Sequence, residues 1–99
     1  MLLVREIMYA KPGKVKGLVE KFVAMAKIGV KMGMPPMKVM TDLSAERYWT
    51  VVSEMEVPSL ETFAEMSRKA MENPDFQNAM KDYHDLIAEG RREIYMIEA

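Results

Sequence analysis

The hydropathy pattern of this 99-residue sequence predicts an α+β chain, a four-stranded antiparallel sheet carrying helices on one face. Three observations carry that reading. Stretches rich in β-formers stand at both ends and in the middle of the chain. Two amphipathic stretches with three- and four-residue apolar spacing separate them. The connections hold Pro, Gly, Ser and Asn where turns and caps need them. A chain of this length makes one domain, residues 1–99.

LLVREIMYA (2–10) reads as a strand bounded by the turn KPGK (11–14). From Val15 the period changes: Val15, Leu18, Val19, Phe22, Ala26, Gly29 and Val30 form the stripe of a helix ending near Gly33. Gly29 on that stripe predicts a close approach to the sheet, since its helix propensity is poor. PPMKVMTDL (35–43) reads as a short strand whose prolines suit an edge. RYWTVVSEMEV (47–57) is the strongest strand and ends at Pro58. Ser59 caps a helix whose apolar side is Leu60, Phe63, Met66, Ala70 and Met71. ENPD (72–75) interrupts it, because Pro74 disfavours helical geometry at Asn73 and begins the next turn well. A second helical segment follows, with Phe76, Ala79, Met80, Tyr83 and Ile87 on one side and Gly90 as its stop. RREIYMIEA (91–99) closes as a strand that echoes the first, VREIMYA against RREIYMI. The order βαββαβ, two pseudo-repeated halves, is the ferredoxin-like arrangement.

A sheet with one face in water shows clean alternation, and these strands do not. In 47–57, Trp49, Val51, Ser53, Met55 and Val57 share one face, and Tyr48, Thr50, Val52, Glu54 and Glu56 the other. In the first strand Leu3, Arg5, Ile7 and Tyr9 oppose Leu2, Val4, Glu6, Met8 and Ala10; in the last, Glu93, Tyr95 and Ile97 oppose Ile94 and Met96. Both faces carry large apolar or aromatic groups, so both need cover. A second copy of the chain is the simplest cover for the face the helices leave free, and small domains without disulfides gain stability by such pairing. Two sheets face to face make a dimeric α/β barrel, and this mixture of aromatic, aliphatic and charged groups suits a small-ligand cavity.

Composition excludes several classes. The absence of cysteine removes disulfides, thiolate metal sites and thiol nucleophiles, and fits a reducing, cytoplasmic setting. A net charge of −1 with interleaved signs gives no field to steer nucleic acid or an anionic membrane. No apolar run spans a bilayer, and charge at Arg5 and Glu6 comes too early for a signal peptide. An RRM-like RNA-binding module shares the element order and stays a remote alternative. RYWTVVSEM lacks that motif's glycines, and Glu54 and Glu56 would repel phosphate.

The methionine spacing of KMGMPPMKVM (31–40) resembles thioether copper motifs, and soft thioethers favour Cu(I). Strand alternation places Met37 and Val39 opposite Lys38 and Met40, so the sulfurs of Met32, Met34, Met37 and Met40 do not converge. With 12 methionines spread along the chain, adaptable packing is the better account. No metal and no cofactor are expected.

Arg5 and Glu54 are charges on inner strands and need partners. Cross-strand pairing supplies them, including Arg5 and Glu6 with Arg92 and Glu93 on the last strand; anchoring a polar substrate group is the functional alternative. Tyr9, Tyr48, Trp49 and Tyr95 are core residues or the wall of an aromatic pocket. His84, the only histidine, lies between Asp82 and Asp85 at the edge of the apolar stripe. It is a solvated or capping residue, or an acid–base group.

REIMYAKPGKVKGLVEKF resembles the opening of dimeric α/β-barrel proteins of the NIPSNAP-like and antibiotic-biosynthesis-monooxygenase-like group. EMEVPSLETF resembles their third-strand-to-helix junction, NPDFQNAM their interrupted second helix and GRREIYMIE their closing strand. The resemblance covers nearly the whole chain and specifies fold rather than reaction. It implies a homodimer with a cavity for a hydrophobic or aromatic molecule. Haem-degrading members use a helical histidine with asparagine and tryptophan. Counted from Phe76 that histidine would fall near Met80, and the first strand has no asparagine, so haem is not expected. In cofactor-free oxygenases of the group, tryptophan, asparagine and arginine bind a phenolic substrate. Trp49 with Arg5 or Arg92 are the counterparts, but Asn73 and Asn78 lie on the second helix.

The expected function is therefore binding of a small, partly aromatic metabolite in a barrel cavity by Tyr9, Tyr48, Trp49, Glu54 and Tyr95. The alternative is a cofactor-independent monooxygenase or isomerase of a phenolic or quinol-type substrate. In it, His84 at the cavity mouth is the base and Arg5 stabilises the forming enolate.

Overall fold

A computed structural model describes residues 1–99. The elements are β1 (Leu2–Ala10), α1 (Val15–Lys31), β2 (Met37–Thr41), β3 (Thr50–Val57), α2 (Leu60–Glu72), α3 (Pro74–Met80), a 3₁₀ turn (Tyr83–Leu86) and β4 (Ile87–Met96). The four strands form one antiparallel sheet in the order β2-β3-β1-β4. This is the ferredoxin-like α+β arrangement, with the helices packed on one sheet face. No helix is long and apolar enough to cross a membrane.

The local signals act as the sequence predicts at most junctions. Gly13 adopts φ +77° in the KPGK turn and Gly33 φ +84° just past α1, left-handed values that favour glycine at both points. The Ser59 hydroxyl accepts a hydrogen bond from the Thr62 amide at 3.1 Å, capping α2. The Asn73 side chain accepts from the Phe76 amide at 3.0 Å, and Pro74 opens α3 where no amide donor is needed. Gly29 differs from expectation. Its close neighbour is the Met34 side chain, folded back from the turn after α1, rather than the sheet.

Several boundaries also differ, among them β2, which spans Met37–Thr41, and β4, which spans Ile87–Met96. β3 begins at Thr50, not at Arg47. Trp49 has φ +59°, and the Arg47 carbonyl accepts from the Thr50 hydroxyl at 2.8 Å, so the chain turns sharply before the ladder starts. Asp42 closes this connection by accepting from the Thr50 amide at 2.8 Å. The second helical segment stops at Met80, because Asp82 takes a left-handed φ of +64°, and a 3₁₀ turn leads straight into β4. Gly90 is consequently a strand residue, not a helix stop, opposite Met8. A bulge between Tyr9 and Ala10 lets Ile87 pair with Ala10 and lengthens β4 at its start.

The core lies between α1, the sheet and the 3₁₀ turn. Leu18, Phe22 and Met25 from α1 meet Ala10, Val51 and Tyr83, and the Phe22 and Tyr83 rings stack at 6.1 Å. On the opposite face, Ile7, Tyr9 and Thr50 are also buried, although no helix lies over them. The β2–β3 connection overhangs that face, and the Arg47 guanidinium sits 3.8 Å from the centre of the Tyr9 ring.

Gly90 is fixed by packing. A β-carbon there would collide with the Met8 sulfur and come within 3.2 Å of the Ile7 carbonyl oxygen. Gly90→Ala is expected to destabilise the chain by about 1–3 kcal/mol, the usual range for overpacking. A shift in the urea midpoint at unchanged slope is the check.

Candidate functional site

The register places Glu54, Arg5 and Glu93 side by side on β3, β1 and β4. Arg5 Nε donates to Glu54 Oε2 at 2.7 Å, and Arg5 Nη1 lies 3.6 Å from Glu93 Oε1. Glu93 also accepts from the Tyr95 hydroxyl at 2.9 Å and from Arg91 Nε at 3.2 Å. The tyrosine hydroxyl and the nearby arginines hold the Glu93 carboxyl below the usual carboxylate range, and the same bond pushes the Tyr95 phenol up. Arg91 also donates to the Tyr9 hydroxyl, and Arg47 pairs with Glu89. Of these groups Arg5, Tyr9, Arg47, Glu54 and Arg91 line an open cavity of about 660 Å³ on the helix-free face, bordered at one side by residues 42–47.

The structure brings three of the predicted site residues, Arg5, Tyr9 and Glu54, into this cavity wall. Tyr95 flanks it, with the Arg5 guanidinium 5.4 Å from its ring centre. Tyr48 and Trp49 stand outside, 84 % and 48 % exposed on the turn before β3. His84 is exposed in the 3₁₀ turn, edge-on to Tyr83, and lines neither this cavity nor the one described next. Arg47 and Arg91 line the face as well, and sequence reasoning missed both. Arg91 becomes visible only through the register that sets it beside Ile7.

A second cavity, of about 270 Å³, lies on the other face between the sheet and the helices. Seven of its wall residues are methionines, from Met8 on β1 to Met80 on α3, and Phe22, Phe63, Phe76 and Tyr83 add aromatic surface. Its only charges are Glu6 and Arg92, which pair across β1 and β4; the Arg92 guanidinium lies 5.0 Å from the centre of the Phe63 ring. Ser53, buried, is also in the wall. Within β2, Met37 and Met40 divide as alternation requires, Met37 into this cavity and Met40 toward the opposite face, while Met34, in the turn before the strand, also lines this cavity.

Solved structures share this architecture. An uncharacterized NIPSNAP domain protein from Burkholderia xenovorans superposes with a TM-score of 0.83 at 14% identity, covering 100% of this chain and 96% of its own. A NIPSNAP family protein from Agrobacterium tumefaciens gives 0.78 at 18% identity, with 97% and 92% covered. A candidate antibiotic biosynthesis monooxygenase from Nitrosomonas europaea gives 0.77 at 14% identity, with both chains covered completely. The chain thus has the fold of the NIPSNAP-like and monooxygenase-like group that the sequence resembles. No protein-family model matches the sequence, and no curated protein matches it.

Tyr83 offers a pH-dependent test of the helix-side cavity. Burial, then the charge of Glu6, pushes its phenol above the ordinary value, with Arg92 opposing. The folded chain therefore holds the phenolic proton more tightly than the unfolded chain does. This contribution is complete below the ordinary phenol range and is lost as pH rises from there through the folded value. Tyr83→Phe is expected to flatten the decline in stability as pH rises above the ordinary phenol value of about 10, measured by urea unfolding at increasing pH.

Proposed function

We propose that this chain is a homodimeric binder of a small, partly aromatic molecule, which occupies the helix-side cavity while a second copy covers the helix-free face. The observation that carries this reading is the contrast between the two cavities. On the open face, Arg5, Glu54, Glu93 and Arg91 already satisfy one another, so an incoming ligand would have to break ion pairs. The helix-side cavity instead combines an apolar, aromatic and methionine wall with one ion pair, the composition of a site that buries a ring and orients a single polar group.

A second reading keeps the ligand in the barrel cavity of the dimer, and the convergence of Arg5, Tyr9 and Glu54 favours it. Cofactor-independent oxidation of an activated phenol is the enzymatic form of either reading. It gains no support from His84 and Arg5 acting together, because they share no cavity within the chain.

A thermal-shift screen of phenols, quinols and naphthols separates these readings. A compound that raises the melting temperature of the wild type is expected to lose its effect in Ser67→Leu, which fills the helix-side cavity, and to keep it in Glu54→Gln and His84→Ala. Loss of the effect in Glu54→Gln with its retention in Ser67→Leu moves the ligand to the barrel face. No shift with any compound sinks the binding reading, and aerobic turnover of the same panel decides whether binding leads to oxidation. Light scattering at micromolar concentration is expected to give twice the 11.4 kDa chain mass.

A further inference from the structure

The helix-free face carries a charge pattern that its own chain leaves incomplete. Across the strand order β2-β3-β1-β4, the register sets Lys38 beside Glu54, Glu54 beside Arg5 and Arg5 beside Glu93. One row over all four strands therefore reads plus, minus, plus, minus. Arg5 is bound to both carboxylates that flank it. Lys38, on the β2 edge, is exposed and has no ion-pair partner in the chain. The neighbouring row, Met40, Val52, Ile7 and Arg91, is mostly apolar.

Such a row distinguishes between two ways of laying a second copy on this face. A two-fold axis running along the strands, between β3 and β1, reverses the strand order of the partner. Lys38 then faces the partner's Glu93, Glu54 faces the partner's Arg5, and all four juxtapositions join opposite charges. An axis running across the strands along the row sets each residue over its own copy, Lys38 over the partner's Lys38 and Glu93 over the partner's Glu93. Every juxtaposition is then between like charges. Packed sheets lie about 10 Å apart, within reach of two long side chains pointing at each other. Like charges forced together at an interface cost several kcal/mol.

The geometry points to a homodimer whose two-fold axis runs along the strands, with Lys38 on one copy and Glu93 on the other as the outer pairs that set its register. The inference rests on the homodimer reading given above and adds to it the axis, the contacts and their specificity. It has a structural corollary. β2 and β4 run in opposite directions within the sheet, and an axis along the strands preserves direction. The exposed β2 edge of one copy then lies beside the antiparallel β4 edge of the other, and each covers an edge that would otherwise be open to aggregation.

A charge exchange tests this. Lys38→Glu and Glu93→Lys each turn both outer contacts of their own homodimer into like-charge pairs. A mixed dimer of the two variants has opposite charges at both. Sedimentation is expected to show a dimeric wild type and self-association at least about tenfold weaker for each variant alone. An equimolar mixture, with one variant ¹⁵N-labelled for native mass spectrometry, is expected to recover a heterodimer. Circular dichroism melts establish that each variant is folded. If Glu93→Lys does not fold, Glu93→Gln replaces it, and its mixture with Lys38→Glu should still associate more tightly than Lys38→Glu alone. A dimeric wild type whose variants associate normally, or whose mixture fails to recover, overturns this axis and leaves the dimer standing. A monomeric wild type overturns both.

Discussion

Arg5 lies between Glu54 and Glu93, and the alignment of those three side chains expresses the register on which both faces of the sheet depend. With β1 held between β3 and β4, Val4 and Met8 turn toward the helices while Arg5, Ile7 and Tyr9 turn away. A slip of one residue would carry Arg5 into the apolar layer and expose Val4. The ion pairs themselves are half-exposed and contribute little to stability, as surface pairs do. Their main consequence is for the alternatives, since a slipped register would bury charge without a partner.

The two faces consequently differ in kind. On the helix side, the rows of β1, β3 and β4 are apolar or small except for Glu6 and Arg92, which stand opposite each other and pair. Charge inside an apolar layer is costly unless it is neutralised, and here the two charges neutralise one another at the wall of the helix-side cavity. On the free face, charges alternate across the strands, and the adjacent row is apolar except for Arg91. An apolar layer with one polar anchor suits a ligand. An alternating row with an apolar strip beside it suits a surface of the same kind turned through two-fold symmetry.

The sheet was legible in the sequence because period-two alternation and turn chemistry act locally. Ser59, Asn73 with Pro74, and Gly13 each specify their junction within four residues. The boundaries that moved were decided by contacts distant in sequence. RYWTVVSEMEV looks like strand from Arg47 onward, but Asp42 accepts from the Thr50 amide and Trp49 turns left-handed, so the aromatic pair leaves the ladder. Gly90 resembles a helix stop until the Met8 side chain, far away in the chain, is seen to need its space. The candidate site was harder still to read. Arg5, Tyr9 and Glu54 were recoverable from strand parity, whereas Arg91 required the register of β4. The helix-side cavity depends on how α1, α2 and α3 pack over the sheet, which no local pattern encodes.

The methionines link packing to recognition. An aliphatic core of Leu, Ile and Val interlocks in fixed rotamers, whereas methionine is unbranched, flexible and polarizable, and adapts to irregular space. Concentrating seven of them around one cavity beside four aromatic rings makes a wall that can close around ligands of different outline. Such a wall discriminates weakly by shape, since a methylene more or less in an apolar pocket changes affinity only about 10–200-fold. Discrimination then has to come from the polar groups, where an unmatched partner is far more costly. In this chain those groups are Glu6 and Arg92, with Ser53 beside them, all fixed on rigid strands rather than on loops. On the proposed reading, the helices supply an accommodating wall and the sheet supplies the selectivity.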